Sequence, residues 1–348
     1  MKLQRIHATV AVLALVLVLA AACAPAAAPP TPKPQPSAAT ATAAPTAVPP
    51  TAAPEPTEAE AEESYYFVYV PKLVHPFYED VKAGIEKAIA EYAKRGVEIK
   101  FDWDAPPQAD VLIHTQRLEA AISKQPDAIC VSCLDPDADR PLIEQAAAAG
   151  IPMFGFDTQC PGSPIISFVG HANLLPDGAS MADALAEAIG EDGPIAILMG
   201  SPGSVNHRKR VDGFKAQLEN YPNIEIVAEE YDNDDLERAI NLTASILQAH
   251  PDLEGIFGCN STAPVGAGRA IVEAGKKGEV ALVGIGDLPE MIDFIKDGTA
   301  LATSVQPVPQ IGYWSIRYMY EYLNGNVLPP LFDTGSMVVD ASNADTYK

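Results

Sequence analysis

Positive charge is scarce in this chain. Its 23 Lys and Arg stand against 46 Asp and Glu, for a formal net charge of −23 over 348 residues. A nucleic-acid binder needs a basic patch or stripe, so that class starts without support. The usual signatures of phosphate and metal chemistry are missing too. The Gly200-Ser201-Pro202-Gly203 loop lacks the Gly-Lys-Ser/Thr ending of a P-loop, and nothing matches a Gly-x-Gly-x-x-Gly fingerprint. His171 and His207 have no metal-ligand spacing to another His. No nucleophile–base pair stands out, so neither a metal, a cofactor nor an enzymatic reaction is expected. Cysteine is rare, at five residues. Cys130 and Cys133 form a C-x-x-C on or beside a strand, where odd spacing sends the side chains to opposite faces. That disfavours a redox pair or a zinc knuckle.

Long apolar runs are also lacking. The run from Ala8 to Ala22 follows Lys2 and Arg5, is short for a membrane span, and ends in small residues. It reads as an export signal over residues 1–22. Cys23 follows directly in Leu19-Ala20-Ala21-Ala22-Cys23. This resembles a bacterial lipobox whose cysteine is lipidated, although Ala20 stands where Leu is usual. The alternative is simple cleavage that releases the protein. Residues 24–63 are mostly Pro, Ala and Thr with few large apolar side chains. Such a segment cannot bury enough surface to offset its ordering entropy. Together with Cys23 it reads as a tether between membrane and folded domain.

What is present from Tyr65 onward is a strand–helix rhythm. Tyr65 to Val70 is rich in aromatic and β-branched residues. Apolar residues then recur with helical spacing from Phe77 to Tyr92, ending at Gly96. Alternation continues through strands at Val97–Trp103, Ala128–Val131 and Ile151–Phe156, with helices at Val111–Ser123 and Pro141–Ala149. Such βαβ alternation calls for a parallel sheet covered by helices on both faces. The rhythm breaks once. Ile151 to Phe156 and Ile165 to Val169 are consecutive apolar runs with no helix between them, and Asp157 closes the first. There the chain is expected to leave one α/β lobe and enter a second, which repeats the alternation to Val305. The expected fold is therefore two Rossmann-like lobes with parallel sheets, joined by a three-segment hinge. Residues 64–169 plus 307–325 form one lobe and 170–306 plus 326–348 the other, with crossings near Gly170, Pro307 and Asn326.

Ligands of open α/β sheets bind beyond the carboxyl ends of strands. His75, Phe77, Tyr78, Asp157, Asn260 and Gln306 all follow predicted strands, and Arg210 lies early in the helix after Gly203. Carboxylate, guanidinium and amides offer fixed donors and acceptors for hydroxyl groups, and the rings offer flat apolar faces. That set suits a small polyhydroxylated ligand. Trp103, at a strand end, either stacks on that ligand or is a half-buried rim residue.

From Tyr65 onward the chain resembles the periplasmic sugar-binding proteins of ABC importers, of the ribose-binding type. His75-Pro76-Phe77-Tyr78 looks like that family's Asn-Pro-Phe-Phe loop. Phe156-Asp157-Thr158 looks like its strand-end aspartate, and Arg210-Val211-Asp212-Gly213-Phe214 like its Arg-x-x-Gly-Phe helix. Cys259-Asn260 matches its strand-end Asn, and Val305-Gln306 through Gln310-Ile311-Gly312 its hinge segment with a ligand-binding Gln. The resemblance implies the type I periplasmic binding protein fold. It implies a monosaccharide or polyol as cargo and an ABC permease as partner of a monomeric, extracytoplasmic protein. Several departures bear on the cargo. Ile285-Gly286-Asp287 puts Gly where Asp is expected, with Asp287 one residue later. His75 replaces Asn, Tyr78 replaces Phe and Thr158 replaces Arg. Where the ribose binder has a stacking Phe, acidic residues surround Asp234, as a ligand contact or as a solvated surface cluster. A furanosyl signal or a nucleoside therefore stays open as ligand, and so does a sensor that feeds a membrane receptor. The export signal speaks against a repressor with the same effector fold. Cys133 and Cys160 follow adjacent predicted strands in an oxidising compartment, so a disulfide near the cleft rim is expected.

Overall fold

The computed structural model describes residues 63–347. The export signal, Cys23 and the Pro/Ala/Thr segment lie outside the described residues. Within them, no helix is long and apolar enough to cross a membrane.

The first sheet is built from strands β1 (Glu63–Val70), β2 (Val97–Trp103), β3 (Ala128–Val131), β4 (Met153–Phe156), β5 (Phe168–Gly170) and β11 (Leu331–Asp333), in the order β11-β5-β4-β3-β1-β2. Every pairing in it is parallel. The second contains β6 (Asp192–Met199), β7 (Asn223–Tyr231), β8 (Gly255–Gly258), β9 (Ala281–Ile285), β10 (Ala302–Val305) and β12 (Met337–Asp340), in the order β12-β10-β9-β8-β6-β7. Here only the edge strand β12 runs antiparallel. Strands β1, β3, β4 and β8 end in fully buried runs, as expected of parallel strands covered on both faces.

Helices α1 (Pro76–Ala93), α2 (Val111–Ser123), α3 (Pro136–Ala148) and α9 (Val308–Leu323) cover the first sheet. Helices α4 (Leu175–Ala188), α5 (Val205–Leu218), α6 (Leu236–Ala249), α7 (Ala263–Glu273) and α8 (Pro289–Asp297) cover the second. A Cβ on Gly178 would overlap the Arg210 carbonyl, so that glycine lets α4 and α5 approach closely and fixes where α5 presents Arg210.

Two sequence expectations need correction. The helix expected over Pro141–Ala149 begins at Pro136, because Asp135 caps it by accepting from the amides of Asp137 and Ala138 at 2.9 and 3.2 Å. Pro141 lies inside this helix at the cost of one backbone bond. The third crossing falls after Asp333 rather than at Asn326, because Leu331–Asp333 pairs with β5 and keeps that segment in the first lobe.

Candidate functional site

Strand ends from both sheets face a narrow cavity between the lobes, with about 40 Å3 of space for water centres. His75, Phe77, Tyr78, Asp157, Arg210, Asp234, Asn260, Asp287 and Gln306 all line it. Trp103 does not. It stacks on Tyr69 with ring centroids 5.7 Å apart and packs on Tyr78 and Phe156, behind the cavity wall.

On the first-lobe side, His75 caps α1, its Nδ1 accepting from the Phe77 amide at 3.1 Å. That cap, with Pro76 at the first helical position, aims Phe77 and Tyr78 at the cavity. Burial lowers the His75 pKa, so its ring is neutral. Asp157 ends β4 in left-handed backbone, with φ of +57°. Its Oδ2 accepts from Tyr78 Oη at 2.7 Å, Ser132 Oγ at 2.7 Å and Thr158 Oγ1 at 3.0 Å. Lys72 Nζ lies 3.5 Å from the same oxygen. Burial works to raise this carboxyl, but Lys72 and the three hydroxyls outweigh it and hold it below the usual range. Lys72 also donates across the cleft to Ser204 Oγ at 3.3 Å.

On the second-lobe side, Asp234 turns the loop after β7, again in left-handed backbone with φ of +60°. Asn260 Nδ2 donates to its Oδ1 and Ser201 Oγ to its Oδ2, both at 2.9 Å. Asn260 also donates to Asp232 at 2.9 Å, while its own Oδ1 caps α7 by accepting from the Ala263 amide at 2.7 Å. Asp232 is fully buried behind Asp234; burial and that neighbouring charge push it up to about 7. His207 Nε2 lies 3.6 Å from Asp234 Oδ1. Burial, together with the nearby Lys72 and Arg210, pushes His207 down to about 3, so it is a neutral group here. Burial works to raise Asp234, but the surrounding donors and the Lys72 charge keep it anionic. Arg210 is 4 % exposed, and its only protein partner among the described residues is the Cys259 carbonyl, at 3.3 Å from Nη1. Its Nε has none. Asp287 accepts from Tyr347 Oη at 2.7 Å, which brings the end of the chain to the cavity edge.

Sequence reasoning missed Lys72, Asn206, His207 and Ser261, which also line the cavity. Lys72 follows β1 closely and could have been found by the strand-end criterion used for the others. His207 gives no strand-end signal, because it lies in the first turn of α5.

The disulfide expected between Cys133 and Cys160 is not formed: the four described cysteines are free thiols. The neighbouring Cys160 thiol, burial and the nearby Asp139 carboxylate all raise the Cys133 pKa.

The arrangement can grip a small hydroxylated solute. Anionic acceptors stand on both lobes, and a buried guanidinium has spare donors. These are features of two-lobed binding proteins that close over a solute, and the comparisons agree. Residues 66–326 match the family model of the periplasmic binding protein domain, and the chain belongs to that family. It is 27 % identical over 291 residues to the xylose/arabinose-binding protein XylF of Sulfolobus acidocaldarius, covering 78 % of this chain and 70 % of that one. It is 28 % identical over 257 residues to the ribose import binding protein RbsB of Bacillus subtilis, covering 74 % and 80 %. Among solved structures, an ABC transporter solute-binding protein from Agrobacterium vitis with bound D-fucose superposes with a TM-score of 0.77 at 28 % identity, covering 80 % of this chain and 97 % of that one. Proteins of this family are extracytoplasmic.

Proposed function

We propose that this protein captures a monosaccharide or polyol between its lobes and delivers it to an ABC permease. The observation that carries this reading is the pair of anionic aspartates, Asp157 and Asp234, on opposing walls of one cavity beside an under-partnered Arg210. Hydroxyl groups donate and accept at once, so they can engage both kinds of partner. A micromolar dissociation constant requires about 8.2 kcal/mol. Hydrogen bonds to charged groups contribute roughly 1.5–3 kcal/mol each, so a few of them with a Phe77 contact suffice after association costs. The protein acts as a monomer. Cys23 carries the lipid that holds it at the membrane, and the Pro/Ala/Thr segment lets the lobes reach the permease; the lipobox-like sequence supports this.

A thermal-shift screen of the purified protein tests the reading, with pentoses, hexoses, inositols, linear polyols, nucleosides and amino acids. Ligand at 100 times its dissociation constant adds about 2.7 kcal/mol, a rise of several degrees for domains of this general size. A shift from a sugar or polyol is expected. A shift from nucleosides or amino acids alone would overturn the assignment while keeping the architecture.

A further inference from the structure

The two walls of the cavity differ in chemistry. The first-lobe wall carries Lys72, His75 and Asp157, and beside them the Phe77 and Tyr78 rings with Leu73 and Val308. The second-lobe wall carries Asn206, His207, Arg210, Asp234, Asn260 and Ser261, and no Phe, Tyr or Trp of that lobe lines the cavity among the described residues. A ring with hydroxyls only around its rim has two flat C–H faces. Such a ring suits a site with an apolar plate on either side. Here Phe77 offers such a plate on the first-lobe wall, while the second-lobe wall offers a carboxylate, Asp234, already fixed in position. Asn233 and Asp234 are both left-handed, and Asp234 receives one donor on each oxygen. Each oxygen keeps a lone pair for a further donor. A C–H face pressed on this wall would strip water from Asp234 and Arg210 and return no hydrogen bond.

We propose that the ligand is a cyclic polyol with one C–H face on Phe77 and at least one axial hydroxyl on the opposite face, donated to Asp234. This rests on the sugar-binding reading and narrows it. Asp234 is then the residue that selects among epimers, and all-equatorial rings are the ones rejected.

Calorimetric titration of the intact protein with matched epimers tests this. Of the D-aldopentoses, only xylose can hold its C2, C3 and C4 hydroxyls all equatorial in one chair; ribose, arabinose and lyxose each keep an axial one. Glucose against galactose, mannose and allose gives the same contrast among hexoses, and scyllo-inositol against myo-inositol gives it without anomers. The best axial epimer in a responding series is expected to bind at least about tenfold more tightly than its all-equatorial partner, because a site built to bond a hydroxyl rejects the analogue lacking it. The Asp234→Asn variant keeps a side chain that tolerates left-handed backbone, and in it this preference should collapse to within about threefold. If the all-equatorial member binds as well or better, the epimer inference is wrong and the sugar reading survives. The inference fails equally if Asp234→Asn folds and keeps the full preference. Silence in all three series would overturn the sugar reading itself.

Discussion

Asp157 in the first lobe, buried, and Asp234 in the second, partly buried, are both aspartates in left-handed backbone that face the same cavity, yet they are held in different ways. Asp157 is a counter-ion: a buried lysine lies beside it and three hydroxyls saturate one of its oxygens. Asp234 is held by neutral donors, one to each oxygen, and its nearest ring nitrogen belongs to a neutral His207. Non-glycine residues at positive φ store strain that only the surrounding structure maintains, and such residues gather at binding sites. The first lobe maintains its aspartate with a charge in direct contact, the second with hydrogen bonds and the more distant Lys72 charge. Under the proposed function, the first position serves folding and binding together, whereas the second serves chiefly to read the ligand.

Replacing each aspartate should therefore separate them. Asp157→Ala is expected to have the largest effect, abolishing measurable binding and costing about 3–5 kcal/mol of stability, because it strands the Lys72 ammonium. Urea unfolding and ligand titration check both parts. An unchanged unfolding midpoint would contradict the counter-ion role. Arg210→Ala should weaken binding by at least about tenfold, or about 1.4 kcal/mol, with the fold retained. Normal binding of the true ligand by this variant would show the site to be misplaced. Lys72→Met should act more weakly and depend on pH. Asp157 has a depressed pKa, so its contribution is present above the ordinary carboxylate pKa and is lost as pH falls through the folded value. Without Lys72 the folded value rises, and the acid limb of the binding profile should move to higher pH. A profile that merely drops without moving would rule this out.

How much of this was legible in the sequence follows from the same contrast. Asp157, Asn260 and Gln306 each close an apolar run, and the strand-end rule finds them without knowledge of the fold. Asp234 sits in a loop among Asp232, Asn233 and Asp235, where composition alone looks like solvated surface. Only the return of Ser201 and Asn260, from beyond the ends of β6 and β8, makes it a partly buried, fixed acceptor. Lys72 lies within reach of the strand-end rule, but its burial was illegible for a similar reason, since lysine is rarely buried unless paired and its partner lies far along the chain. Trp103 and the three-residue strand β11 mark the other limit. One strand-end ring can face a ligand or the core, and periodicity cannot identify so short a strand.

The smallest expected effect lies where the two lobes join. His171 follows the first crossing and is buried between two carboxylates: Nδ1 is 3.0 Å from Asp333 Oδ1, beside the third crossing, and Nε2 is 2.9 Å from Asp177 Oδ2, on α4. The Nε2 contact is an ion pair whose angle falls short of a hydrogen bond. Asp177 is also bonded by Ser336 Oγ at 2.6 Å and faces the Arg210 charge. A neutral imidazole has one donor and one lone pair, so one carboxylate would then meet a lone pair; only the protonated ring suits both. Burial lowers the His171 pKa, but Asp177 and Asp333 outweigh it and leave it raised. Its stabilising contribution is therefore complete below the ordinary imidazole value of about 6.5, and fades as pH rises through the folded value. The stability lost in His171→Gln relative to the parent should be largest near pH 6 and shrink toward about pH 9, read as the gap between urea midpoints. A gap of the same size at both pH values would mean that the ring holds the two crossings by shape rather than charge.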